Sequence, residues 1–137
     1  YGNETTNDSR MQAVTKNNME DLYALTNQIM GNKEYMFIAY DFWTVKKMGE
    51  VLRENKTTST NVKLQHVTNH PEQGFINYYK NCGIELDANC DNITTADIRA
   101  FKDAGIGVGL WTVDDTERVA DYIAQKVDYI TTNTKFW

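Results

Sequence analysis

The side chains that could do chemistry gather at the carboxyl ends of apolar runs. They are Tyr40 and Asp41, His66, Asp87, Trp111, Asp114, and the stretch Thr131-Thr132-Asn133. His66 can move a proton near neutral pH, as a general acid or base. Trp111 offers a flat apolar wall and one N–H donor, a combination suited to a polyol. No nucleophile–base pair is evident among them. Plainer roles compete with each of these. Trp111 can simply cap a core, His66 can be a hydrogen-bonded histidine at a strand end, and His70, beside Pro71 in a polar loop, reads as solvent-facing. The triplet Glu85-Leu86-Asp87 puts two carboxylates on one side of a strand, as metal ligands would be. It reads equally as a buried or rim pair satisfied by lysine or backbone donors, and metal binding is not expected there. The expected substrate-facing residues are Trp111, His66 and Asp87.

These residues need elements to position them. Gly105 to Val113 is an apolar run ending on tryptophan and threonine, and Val127 to Asn133 is a second run ending in hydroxyl residues. Between them, Asp114-Asp115-Thr116 opens a helix-period segment with Val119, Ala120 and Ile123 on one face. Strand, helix, strand in this order is a βαβ unit with parallel strands and a right-handed crossover. Upstream the pattern repeats. A helix is expected over Met11–Met30, with Met11, Val14, Met19, Leu22, Leu25, Ile29 and Met30 near one stripe and Gly31-Asn32 as its stop. A strand over Glu34–Phe42 follows, near-continuously apolar as a strand covered on both faces should be. Next come a helix over Thr44–Asn55 with Val45, Met48, Val51 and Leu52 inward, a loop over Lys56–Asn61, and a strand over Val62–Val67. A short helix around Phe75–Tyr79 ends at Asn81-Cys82-Gly83, and Ile84–Ala88 is a strand. Thr94 and Asp97 mark a helix start, with Ile98, Phe101 and Ala104 inward and Gly105 as the stop. Tyr1–Arg10 reads as a polar loop or frayed end. Alternating strands and helices argue a parallel α/β sheet. The glycines at 105, 107 and 109 lie before or within a strand, so the glycine-rich turn of a doubly wound nucleotide binder is absent.

The stretch Ala104-Gly105-Ile106, Trp111-Thr112-Val113-Asp114 and Val127-Asp128-Tyr129-Ile130-Thr131-Thr132-Asn133 resembles the C-terminal end of the glycerophosphodiester phosphodiesterase family. That family is a TIM barrel whose seventh strand ends in a Trp-Thr-Val-Asn-like motif and whose eighth ends in an Asp-Gly-Ile-Ile-Thr-Asp-like motif. Asp41-Phe42-Trp43-Thr44 stands where the family has a Ser-Phe-Asp-like helix opening. Two positions depart from the pattern: Asn133 stands where the family usually has Asp, and Lys135-Phe136 replaces a nearby proline. The resemblance implies an α/β fold, a partial (β/α)8 barrel holding about strands four to eight, with residues 1–137 the C-terminal portion of the domain. It also implies that Trp111 packs on the glycerol part of a substrate. The family's His-Arg-Gly strand, its second histidine, its Glu-x-Asp metal pair and its Glu-x-Lys have no counterpart in this chain. The place of Glu85-Leu86-Asp87 matches the sixth strand, where the family has no metal ligand. The implied parent hydrolyses a glycerophosphodiester to glycerol phosphate and an alcohol with Ca²⁺ or Mg²⁺. This chain is expected to hold no cofactor and to be inactive alone. The alternative is a non-catalytic glycerol- or glycan-binding surface module derived from the same barrel.

Bulk properties agree. A complete eight-stranded α/β barrel takes about 250 residues, and the chain has 137. A part-barrel leaves unpaired strand edges, so a homo-oligomer or a partner carrying the missing barrel half is expected. The start at Tyr1 rather than Met points to a processed or cut chain. The net charge of −5, with no basic block, disfavours nucleic acid as a partner. No apolar run is long enough to span a bilayer, and no signal peptide opens the chain. Cys82 and Cys90 flank a strand of roughly 26 Å at about 3.3 Å per residue, too far for a disulfide, so both read as free thiols.

Overall fold

The computed structural model describes residues 9–55 and 61–136. The elements in chain order are α1 (Ser9–Met30), β1 (Tyr35–Ala39), α2 (Phe42–Glu54), β2 (Val62–Thr68), a 3₁₀ turn (Gln73–Phe75), α3 (Ile76–Cys82), β3 (Glu85–Asn89), α4 (Thr95–Asp103), β4 (Val108–Trp111), α5 (Thr116–Ala124) and β5 (Tyr129–Ile130). Strands and helices alternate, and β1–β2, β3–β4 and β4–β5 each pair in parallel. This is the α/β architecture of a partial (β/α)8 barrel. The expected loop over Lys56–Asn61 lies outside the described residues except for Asn61, and so does most of Tyr1–Arg10. Two compact units divide the chain, Tyr1–His66 and Val67–Trp137.

In the first unit, β1 lies beside β2 in the register Phe37↔Leu64, Ile38↔Gln65 and Ala39↔His66. The first strand is shorter than its apolar run because Asp41 diverts the chain into α2. Its carboxylate accepts from the Thr44 amide at 3.1 Å and the Thr44 hydroxyl at 2.6 Å, capping the helix two residues earlier than the sequence suggests. The inward face of α2 is as expected: Val45, Met48, Val51 and Leu52 are buried. The stripe on α1 is not a buried one, since Leu22, Leu25 and Ile29 are exposed. Ile38 on β1 is also exposed, at 55 %.

The second unit is built on β3, β4 and β5. Leu86 opposes Val108 and Ala88 opposes Leu110, so these four side chains share one face, and all are fully buried. Ile98 and Phe101 of α4 are buried with them, and Tyr79 of α3 meets Phe101 edge-on at 5.5 Å. The helix starts are well specified. Thr94 and Asp97 form a reciprocal capping box on α4, and Asp115 accepts from the Glu117 and Arg118 amides at the start of α5. Gly83 and Gly105 end α3 and α4 at φ 64° and 80°, the left-handed region that favours glycine. Strands β4 and β5 are shorter than the apolar runs, yet the ladder contacts continue past them. Leu86 N reaches Gly107 O at 2.9 Å, and Val113 N reaches Thr131 O at 2.9 Å. One side chain ties the strand starts together: Asp128 Oδ2 accepts from Lys102 Nζ at 2.6 Å and from the Val108 amide at 2.7 Å.

The face expected on α5 is corrected. Ala120 and Ile123 are exposed, Ile123 at 64 %, and the buried side chain of this helix is Tyr122. Its hydroxyl meets the Cys90 main-chain oxygen at 3.3 Å, which seats the helix by an amphipathic side chain that a hydrophobic stripe overlooks. Both cysteines are free thiols, as their spacing implied.

Candidate functional site

Side chains on a strand alternate between faces, so the face of the second unit's sheet opposite Leu86 and Ala88 carries Glu85, Asp87 and Asn89. The register places Gly109 against Asp87, Trp111 against Asn89, and Tyr129 against Gly109. The sheet therefore has an apolar face turned to its helices and a polar face holding the candidate residues.

Two of the expected site residues meet on this polar face. The indole Nε1 of Trp111 donates to the main-chain oxygen of Asp87 at 3.2 Å, which fixes the ring against the neighbouring strand. Asp87 is 8 % exposed, and its carboxylate accepts no hydrogen bond from any described residue. Burial raises its pKa to about 6.

The Glu85 side chain occupies its place because the segment entering β4 approaches it with a glycine. A Cβ at Gly107 would lie 2.6 Å from Glu85 Cδ and 2.7 Å from Oε1. Glycine here is a spacer for a carboxylate, a role that the position of 107 within an apolar run does not announce. Asn89 is a further residue of this face that the sequence reading passed over. Its Nδ2 donates to Asn69 Oδ1 at 3.3 Å, and its Oδ1 accepts from the Asp91 amide at 2.9 Å. The two-residue step from Asp87 was the available signal.

The loops at this end are tied down by charge. Asp114 Oδ1 accepts from the Asn133 amide at 2.7 Å and the Thr132 hydroxyl at 2.9 Å, joining the segment after β4 to the segment after β5. Those donors hold its pKa below the usual carboxylate value, the Asn133 amide most. Arg118 of α5 donates to Asp91 Oδ1 at 2.9 Å and to the Cys90 main-chain oxygen at 2.8 Å, which anchors the loop after β3.

His66 belongs to the first unit. Its Nε2 lies 3.0 Å from the Tyr40 main-chain oxygen, and its ring stands edge-on to Phe42 at 5.4 Å. Burial lowers its pKa, so the neutral imidazole dominates at neutral pH. Asp41, nominated by its place at a strand end, is the cap of α2, and His70 is exposed. No group of three or more His, Cys, Asp or Glu able to hold a metal ion occurs among the described residues. Glu85 and Asp87 are thus two carboxylates with no third His, Cys, Asp or Glu grouped with them among the described residues.

No protein-family model matches the sequence, and no curated protein matches it. Solved structures do match its fold. One is a glycerophosphodiester phosphodiesterase from Parabacteroides distasonis, with a TM-score of 0.67 and 17 % identity over 93 % of this chain and 50 % of that one. Another is an Oleispira antarctica phosphodiesterase in complex with the product sn-glycerol-3-phosphate, with a TM-score of 0.63 and 11 % identity over 83 % and 46 %. A third is a glycerophosphoryl diester phosphodiesterase from Silicibacter pomeroyi, with a TM-score of 0.65 and 16 % identity over 88 % and 41 %. The chain is thus similar in fold to phosphodiesterases of this class, and it spans about half of their length or less.

Proposed function

We propose that residues 1–137 are the C-terminal portion, about strands four to eight, of a glycerophosphodiester phosphodiesterase-like barrel. The observation that carries this is the uneven coverage: nearly all of this chain matches half of a phosphodiesterase fold. The complete domain hydrolyses a glycerophosphodiester to glycerol phosphate and an alcohol, using Ca²⁺ or Mg²⁺ held outside this chain. Within it, Trp111, Asp87 and His66 are substrate-facing, Trp111 as the flat wall for the glycerol part. The chain by itself is expected not to catalyse the reaction, because the His-Arg-Gly and Glu-x-Lys motifs that the resemblance assigns to catalysis have no counterpart in its sequence. Exposed Ile38 on β1 supports a partner surface, taken by a second copy or by the missing barrel half.

The test is hydrolysis of a glycerophosphodiester by the purified chain with and without Ca²⁺ or Mg²⁺, alongside native mass spectrometry. No turnover, with a dimer or a co-purifying polypeptide, is the expected result. Metal-dependent turnover abolished by Trp111→Ala alone would show that the chain is itself an enzyme. Glycerol or glycan binding by a chain whose gene encodes no catalytic strands upstream favours the surface module instead.

A further inference from the structure

Between α4 and the turn that ends α5, on the helix side of the sheet, lies a cavity of about 320 Å³. That volume suits a small ligand. Arg99, Lys102 and Asp103 line it from α4, and Gln125 and Lys126 line it from the turn. Lys102 is committed, its Nζ 2.6 Å from Asp128 Oδ2. Arg99 and Lys126 form no ion pair with any described residue. Asp103 stands four residues after Arg99, a spacing at which opposite charges pair along a helix, yet the two do not pair. Two uncommitted cations, one from each side, thus share a cavity in a chain whose net charge is −5.

Lys126 also holds a backbone position that does not favour it. Its φ is 59°, and the turn closes through its own amide on Ile123 O at 3.0 Å and the Val127 amide on Tyr122 O at 3.1 Å. After α1, α3 and α4 the left-handed position belongs to glycine, at Gly31, Gly83 and Gly105. After α5 it belongs to a lysine. Glycine makes such a turn without a Cβ to accommodate, so the turn itself does not call for this side chain. What the lysine adds is an ammonium group at the cavity.

We propose that this cavity binds a small phosphate-bearing anion through Arg99 and Lys126. The guanidinium offers parallel N–H donors that match two phosphate oxygens, and the ammonium supplies a point charge for a third. Two cations balance the nearly double negative charge of a phosphate at neutral pH, where a single carboxylate balances one. The site is separate from the face that holds Trp111 and Asp87, and it stands or falls independently of that reading.

The experiment follows the Gln125 main-chain amide resonance of the ¹⁵N-labelled chain at pH 7.5 and constant ionic strength. The probes are inorganic phosphate, methyl phosphate and acetate, added to the wild type, Lys126→Gly and Arg99→Gln. Phosphate is expected to move the resonance saturably, with acetate about tenfold weaker, the scale of one charge-assisted hydrogen bond. Each variant should bind phosphate about tenfold more weakly, while Lys126→Gly melts no lower than the wild type because glycine suits the turn. Methyl phosphate binding as tightly as inorganic phosphate assigns the site to phosphate esters, and weaker binding assigns it to the free ion; both uphold the proposal. Undiminished phosphate binding by either variant overturns it. A lower melting temperature for Lys126→Gly overturns the reading of the lysine as kept for its charge. Acetate matching phosphate in the wild type, or no saturable shift, also overturns the site, and neither comparison needs a variant to fold.

Discussion

The indole nitrogen of Trp111 donates to the main-chain oxygen of Asp87 at 3.2 Å, across two adjacent parallel strands. The bond sets the ring angle and engages one carbonyl of β3, while no described residue donates to the Asp87 carboxylate. One contact therefore orders the flat surface beside Asp87.

Trp111→Phe keeps a ring and removes that single donor. It should cost about 1 kcal/mol of stability, the net worth of an ordinary hydrogen bond. Urea denaturation of the two proteins measures it. A loss several times larger would mean that the ring is chiefly a packing element.

Asp87 makes stability depend on pH in an unusual direction. Burial pushes its carboxyl pKa up to about 6 in the folded state, against 3.8 for a free aspartate. Between those values the folded state holds a proton that the unfolded state has lost, so folding takes up a proton and stability falls as pH rises. The contribution is fully present below about pH 4 and gone above about pH 6, a difference of roughly 2–3 kcal/mol. Thermal melts from pH 4 to 8 should show this slope in the difference between wild type and Asp87→Asn. A flat difference would place the Asp87 pKa near that of a free carboxyl.

Gly107→Ala should destabilise by about 1–3 kcal/mol, because the new methyl meets the Glu85 carboxyl group at 2.6 Å. Glu85→Ala clears that space. The double variant should therefore lose less than the sum of the two singles by about 1 kcal/mol, read from a denaturation cycle. Simple additivity would show that Glu85 moves aside freely.

Asp114→Ala removes the acceptor that holds the Asn133 amide and the Thr132 hydroxyl. The Asn133 amide should exchange with solvent faster by tenfold or more. The effect should be confined to the segment after β5, leaving β3 amides such as Leu86 unchanged. Loss of protection in both places would make Asp114 a global determinant of stability.

Much of the fold was legible because helices and strands announce themselves locally. The 3.6 period of Val45, Met48, Val51 and Leu52, the Thr94/Asp97 cap, and the glycine stops at 83 and 105 are interactions between near neighbours, so the sequence displays them directly. The motif around Trp111-Thr112-Val113-Asp114 likewise pointed to the barrel class that the solved phosphodiesterases share. Where the reading departed, the deciding contacts were distant in sequence. Tyr122 rather than Ile123 seats α5 because its hydroxyl finds Cys90, thirty-two positions away. Gly107 is a spacer because β3 brings Glu85 over it.

The candidate site divides along the same line. Residue types and two-residue steps determined which side chains could share a strand face, and so paired Glu85 with Asp87, while Asn89, one step further, was passed over. Only the tertiary structure decided that Trp111 lies against Asp87 and that the acidity of Asp87 is weakened by burial. Strand pairing sets which residues face one another across a ladder, and burial sets the dielectric around them. Neither quantity is a property of the local chain.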